Sequence, residues 1–78
     1  MVDADAEIDT CGLNCPLPIL KARKALASLQ RGQILRVIAT DPESIRDFSE
    51  FCDQLGHTLL ETHQNEGKIY FLLRKKES

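Results

Sequence analysis

Apolar residues recur along the chain with two different periods, and the switching between them divides 78 residues into six elements. Ala6-Glu7-Ile8-Asp9-Thr10 alternates apolar and polar, as a half-buried strand does. Ile19, Ala22, Leu26 and Leu29 recur at spacings of three, four and three, one face of a helix ending near Gly32. Pro16 suits its first position, where a missing N–H costs nothing, and Pro18 is tolerated in the same turn. Ile34-Leu35-Arg36-Val37-Ile38-Ala39 is apolar except at Arg36 and reads as an interior strand.

Asp41-Pro42 repeats the helix-start signal, a capping carboxylate followed by proline. Ile45, Phe48, Cys52 and Leu55 then mark a second helical stripe, widened by Phe51 and stopped by Gly56. Thr58 to Gln64 and Lys68 to Arg74 are strands joined by a hairpin turn at Asn65-Glu66-Gly67. The order is βαβαββ. The simplest packing is an α/β fold of the two-layer α+β sandwich kind, a four-stranded mixed sheet with two helices on one face. The last strand is apolar on both sides, with Ile69, Phe71 and Leu73 alternating with Tyr70 and Leu72. Helices on one face leave the other as an apolar patch, open to docking, to self-association or to neither.

Size confines the chemistry. A chain of 78 residues makes one domain, here 1–78, with residues 1–6 expected to fray as an acidic tail. So small a domain buries only about 60–65% of its unfolded surface, which leaves no room for a deep pocket. Lys and Arg number 10 against 12 Asp and Glu, a balance that argues against direct nucleic-acid binding. No apolar run is long enough to span a membrane, and the acidic start lacks the features of a secretory signal, so the cytoplasm is the expected location.

Three cysteines, Cys11, Cys15 and Cys52, do not make a disulfide framework in a reducing compartment. Cys52 falls on the second helical stripe and reads as core. Cys15 directly precedes Pro16, at or beside the start of the first helix. Unpartnered N–H groups and the helix dipole favour an anion there, so a moderately acidified, nucleophilic thiolate is expected. The two prolines remove donors and temper the effect. Lys21, Arg23 and Lys24 add positive potential or meet an acidic partner, or else form an ordinary solvated face. The second helix carries Glu43, Asp47, Glu50 and Asp53, so the two helices are oppositely charged. His57 and His63 lack ligand-like spacing, and no metal site is expected.

Cys15-Pro16-Leu17-Pro18 resembles the Cys-Pro-x-Pro signature of the TusA/SirA-like sulfur-carrier family. The resemblance extends over residues 7–74, through Gly12-Leu13-Asn14, Lys21-Ala22-Arg23-Lys24, Gly32, Thr40-Asp41-Pro42 and Phe51-Cys52. It implies a sandwich like the C-terminal domain of translation initiation factor three. It also implies that Cys15 accepts sulfane sulfur as a persulfide from a cysteine desulfurase or other donor, then relays it to an acceptor protein. In some members that sulfur goes to tRNA thiolation; others are linked to molybdenum cofactor assembly or sulfur oxidation. No cofactor is required, because sulfur is exchanged between thiols. Gly12, Pro16 and Pro18 support the cysteine, Gly12 by leaving space for an approaching protein. Leu17 and Asn14 stand where the tRNA-thiolation branch tends to carry polar or charged residues.

Cys11 is an additional thiol, and two readings of it stand. It resolves a Cys15 persulfide by forming a disulfide, or it is an inert loop residue. If Cys11 and Cys15 cycle together, the chain is a thiol redox or regulatory domain, the alternative to a sulfur carrier.

Overall fold

The computed structural model describes residues 3–77, which run β1 (Ala6–Thr10), α1 (Leu17–Ala27), β2 (Ile34–Ala39), α2 (Ser44–Leu55), β3 (Thr58–Asn65) and β4 (Lys68–Arg74). One sheet forms in the order β1-β2-β4-β3. β1 is parallel to β2, and β4 is antiparallel to both of its neighbours. The βαβαββ order and the mixed sheet are those the hydrophobic pattern requires.

Both helices cover the same face of the sheet. Leu35, Val37 and Ala39 of β2 and Phe71 and Leu73 of β4 are fully buried there, beneath Ala22 and Leu26 of α1 and Phe48, Phe51 and Cys52 of α2. The pleat sends alternate residues to opposite faces, so these are every second position of each strand. The Phe48 and Phe71 rings lie 4.7 Å apart, and Phe51 stands edge-on to Phe48 at 6.3 Å. Among the described residues no helix is long and apolar enough to cross a membrane.

Four local details depart from the sequence reading. α1 stops at Ala27 and does not run on toward Gly32. Ser28 and Leu29 instead donate to Ala25 and Leu26 in a tighter turn, from which Leu29 still packs on the core. The acidic start does not simply fray. The Asp5 N–H donates to the Ile34 carbonyl and its carboxylate accepts from the Ile34 N–H, both at 2.8 Å, and Ala6 already belongs to β1. Residues 1 and 2 of that stretch lie outside the described residues. The hairpin has two turn residues, Glu66 and Gly67, because Asn65 pairs with Lys68. Both have positive φ, as a type I′ turn demands. Finally, Asp41 does not cap α2 itself. Its Oδ1 accepts from the Glu43 N–H at 3.0 Å, closing a turn ahead of the helix.

The outer face of the sheet is less apolar than the sequence of β4 suggests. Leu72 lies in register between Arg36 and Glu61, and Tyr70 between Ile38 and His63. Arg36 also pairs with Glu7 at 3.3 Å. The long polar side chains flank Leu72, which is only 8% exposed, so a narrow apolar band replaces the expected patch.

Candidate functional site

Because β1 and β2 are parallel, the chain leaves both at the same end of the sheet, and both helices start there. The loop from β1 to α1 carries Cys11 to Pro16. The loop from β2 to α2 lies beside it and holds it in place. Thr40 Oγ1 accepts from the Gly12 N–H at 2.9 Å, and Asp41 Oδ2 accepts from the Cys15 N–H at 3.0 Å. Thr10, fully buried, donates its hydroxyl to the Ile38 carbonyl at 2.7 Å and fixes the end of β1. Gly12 has φ +80°, a region costly for a side chain, and open space lies where its Cβ would be.

Cys15 emerges from this scaffold exposed, as does Pro16 after it. The Cys15–Pro16 peptide bond is cis. Pro16 is the residue preceding α1, Leu17 the first helical residue and Pro18 the second. Pro18 is fully buried and anchors the helix start to the core. Leu17 and Leu20, by contrast, are 47% and 53% exposed, two apolar side chains beside the thiol.

The thiol is not acidified. It is held as the neutral thiol, with its pKa pushed up to about 11. The chief cause is its hydrogen bond to the Asp47 carboxylate, followed by partial loss of solvent and the negative charges of Asp47, Glu43 and Asp41. This corrects the expectation of a helix-stabilised thiolate. The helix has little to offer, since Pro16 and Pro18 lack N–H groups and the Leu17 N–H is bonded to the Asn14 carbonyl. The acidic side chains at the start of α2 decide the outcome.

Those carboxylates are the part of the site that sequence reasoning did not assign. A signal for them was present: two helices entered from parallel strands share an end, which brings Asp41, Glu43 and Asp47 to Cys15. A shallow hollow of about 310 Å³ lies between the helices there, lined by Cys15, Pro16, Leu20 and Arg23 on one side and Asp47 and Glu50 on the other. Of the three cations on α1, all exposed, Arg23 reaches this hollow. Lys24 stands in the last helical turn, away from the thiol's end.

Cys11 and Cys15 are both free, and their thiols engage different carboxylates. The Cys11 thiol bonds to Asp9, which raises its pKa and lowers that of Asp9, whose Oδ1 also accepts from the Cys11 N–H at 2.9 Å. Cys52 is buried at 3% exposure within the core. His57 packs on Phe51 and its Nδ1 accepts from the Lys76 N–H at 3.1 Å, while His63 lies beside Tyr70. Among the described residues no three His, Cys, Asp or Glu side chains gather in a metal-binding group.

Comparison with known proteins gives this arrangement a family. The family described as Sulfurtransferase TusA matches residues 6–75. The Sulfur carrier protein TusA of Allochromatium vinosum is 52% identical over 75 residues, covering 96% of this chain and 99% of that protein. The Sulfur carrier protein TusA of a Pseudomonas putida strain is 43% identical over 72 residues, covering 92% and 90%. The crystal structure of a SirA-like protein from Desulfitobacterium hafniense superposes with a TM-score of 0.81 at 27% identity, over 92% of this chain and 99% of that one. An exposed cysteine ahead of a proline-started helix, on a βαβαββ sandwich matched along nearly its whole length, places the chain in the TusA family of sulfur carriers.

Proposed function

We propose that Cys15 is the carrying atom, that it accepts sulfane sulfur as a persulfide from a donor protein such as a cysteine desulfurase, and that it relays this sulfur to an acceptor protein. The observation that supports the reading most is the exposure of Cys15 on a ridge shared by two helix starts. Two proteins must reach that sulfur in turn, and nothing encloses it. Exposed Leu17 and Leu20 offer each of them an apolar foothold.

The transfer is an exchange between sulfurs. The Cys15 Sγ, on losing its proton, attacks the outer sulfur of a donor persulfide, R–S–SH. The new Sγ–S bond forms as the donor S–S bond breaks, R–S⁻ leaves, and Cys15 holds –S–SH. The proton lost by Sγ is taken up by the departing thiolate, so no net oxidation occurs. The same exchange in reverse roles delivers the sulfur onward.

Incubation of the chain with a cysteine desulfurase and cysteine tests the reading. Intact-mass spectrometry is expected to show a gain of one sulfur atom, located on Cys15 by peptide mapping and absent from Cys15→Ser. A folded chain that gains no sulfur from several desulfurases, or gains it equally after Cys15→Ser, would overturn it. Transfer that persists in Cys11→Ser separates the carrier from a dithiol redox role, in which Cys11 is indispensable.

A further inference from the structure

The face of the sheet turned away from both helices carries a second hollow, larger than the one beside Cys15, at about 520 Å³. It is a shallow trough along β4. Ile38 of β2 and Tyr70 and Leu72 of β4 make its floor, with Glu7 and Arg36 on one side and Glu61 on the other. Small-molecule sites span roughly 300–1,000 Å³ and share this make-up, an apolar floor with a few polar groups around it. The carrier chemistry of Cys15 makes no use of it.

Charge and shape narrow the occupant. Among the described residues the one ion pair is Arg36–Glu7, so these two walls neutralise each other. The carboxylate of Glu61 is left over, exposed and without an ionic partner, directly beside Leu72 in the ladder and diagonal to Tyr70. Tyr70 is half-buried, its ring 6.3 Å from that of His63. An aromatic face attracts a cation lying within about 6 Å of its centre, and a carboxylate takes a planar pair of N–H groups at both oxygens. An anion would face Glu61, and a neutral ring would leave it unpaired.

We propose that this trough binds a small planar organic cation, an amidinium or guanidinium on a flat apolar body. The body lies over Ile38 and Leu72, the cation meets the Tyr70 ring, and its paired N–H groups are held by Glu61. The strip of floor between Arg36 and Glu61 is narrow, which suits a flat molecule lying along β4.

Benzamidine is the probe, a planar cation on a flat ring. Benzamide has the same shape without the charge, and benzoate has the opposite charge. Each is titrated into the isotope-labelled full chain and followed by amide shifts in nuclear magnetic resonance spectra. Benzamidine is expected to move the amides of Ile38, Glu61, Tyr70 and Leu72, to leave that of Cys15 in place, and to bind about fivefold or more tightly than benzamide at low salt. High salt is expected to narrow that margin. Lys68 and Arg74, exposed at the two ends of β4, do not line the trough, so benzoate is expected to bind more weakly than benzamide. Glu61→Gln, at an exposed position, is expected to bring benzamidine down to the level of benzamide. Tyr70→Leu keeps an apolar floor, removes the ring and is expected to weaken benzamidine severalfold. N-acetyl-arginine amide carries the same N–H fork on a flexible stem. Weaker binding than benzamidine supports a free planar cation, and tighter binding overturns the small-molecule assignment in favour of a protein arginine. Benzamidine that moves no amide of this face at millimolar concentration, binds no better than benzamide or benzoate, or loses nothing on Glu61→Gln overturns the proposal.

Discussion

The carboxylate of Asp41 bridges the two loops of the site, accepting the Cys15 N–H at one oxygen and the Glu43 N–H at the other, each at 3.0 Å. One side chain thus fixes both the nucleophile and the entrance to α2. Asp41→Ala removes both acceptors and is expected to destabilise the fold by about 1–2 kcal/mol, two modest hydrogen bonds' worth. The urea midpoint measures this, and faster amide exchange at Cys15 shows where it acts.

The charge around Cys15 sets its pH response. Alkylation by iodoacetamide, a neutral reagent, follows the thiolate fraction and is expected to climb through a midpoint at about pH 11, where the thiol of the free chain is half ionised. Because the hydrogen bond to Asp47 is the chief cause of that elevation, Asp47→Asn moves the profile to lower pH and raises the rate at pH 8. A profile centred near 8.5 in the unmodified chain would contradict the structure.

His57 carries a pH dependence of the opposite kind. Partial burial, with Lys76 and Lys75 nearby, lowers its pKa below 6.5. The folded state therefore prefers neutral histidine, and the stability it contributes is present above pH 6.5 and lost as the pH falls through the folded value. Protonation also ends the acceptance of the Lys76 N–H by Nδ1. The urea midpoint is expected to drop between pH 7.5 and 5, and His57→Gln to flatten that drop.

Phe48 is wholly buried between Phe71 and Phe51. Phe48→Ala is expected to cost about 3–5 kcal/mol, most of the stability of a domain this small. Far-ultraviolet circular dichroism would show a chain largely unfolded at 37 °C.

The elements were legible in the sequence because burial imposed their periods. β2 is apolar at all positions but Arg36, with every second residue buried under the helices, and α2 repeats at three and four because one side of it meets the sheet. The ends were less legible. α1 stops at Ala27 although Leu29 is in step, since a tight turn packs a leucine on the core as well as a helix does. The ionisation of Cys15 is illegible in the local sequence for a different reason. Local reasoning sees the helix that follows the cysteine, whereas Asp41, Glu43 and Asp47 arrive from more than two dozen residues away through the parallel pairing of β1 and β2. Pro16 and Pro18, which both follow the thiol in sequence, differ in the fold, one exposed and one wholly buried.

The register shift between Leu59 and Glu61 in β3 has a bearing on how the protein behaves in company. β3 is a border strand with one row of backbone groups unsatisfied by the sheet, the usual template for runaway concatenation. The kink at Leu60 spoils the straight edge that an added strand would need, and Glu61 to Asn65 are polar and exposed. Crowded together at high concentration, copies of this chain find no clean seam along β3, and the ridge at the opposite end stays free for its work.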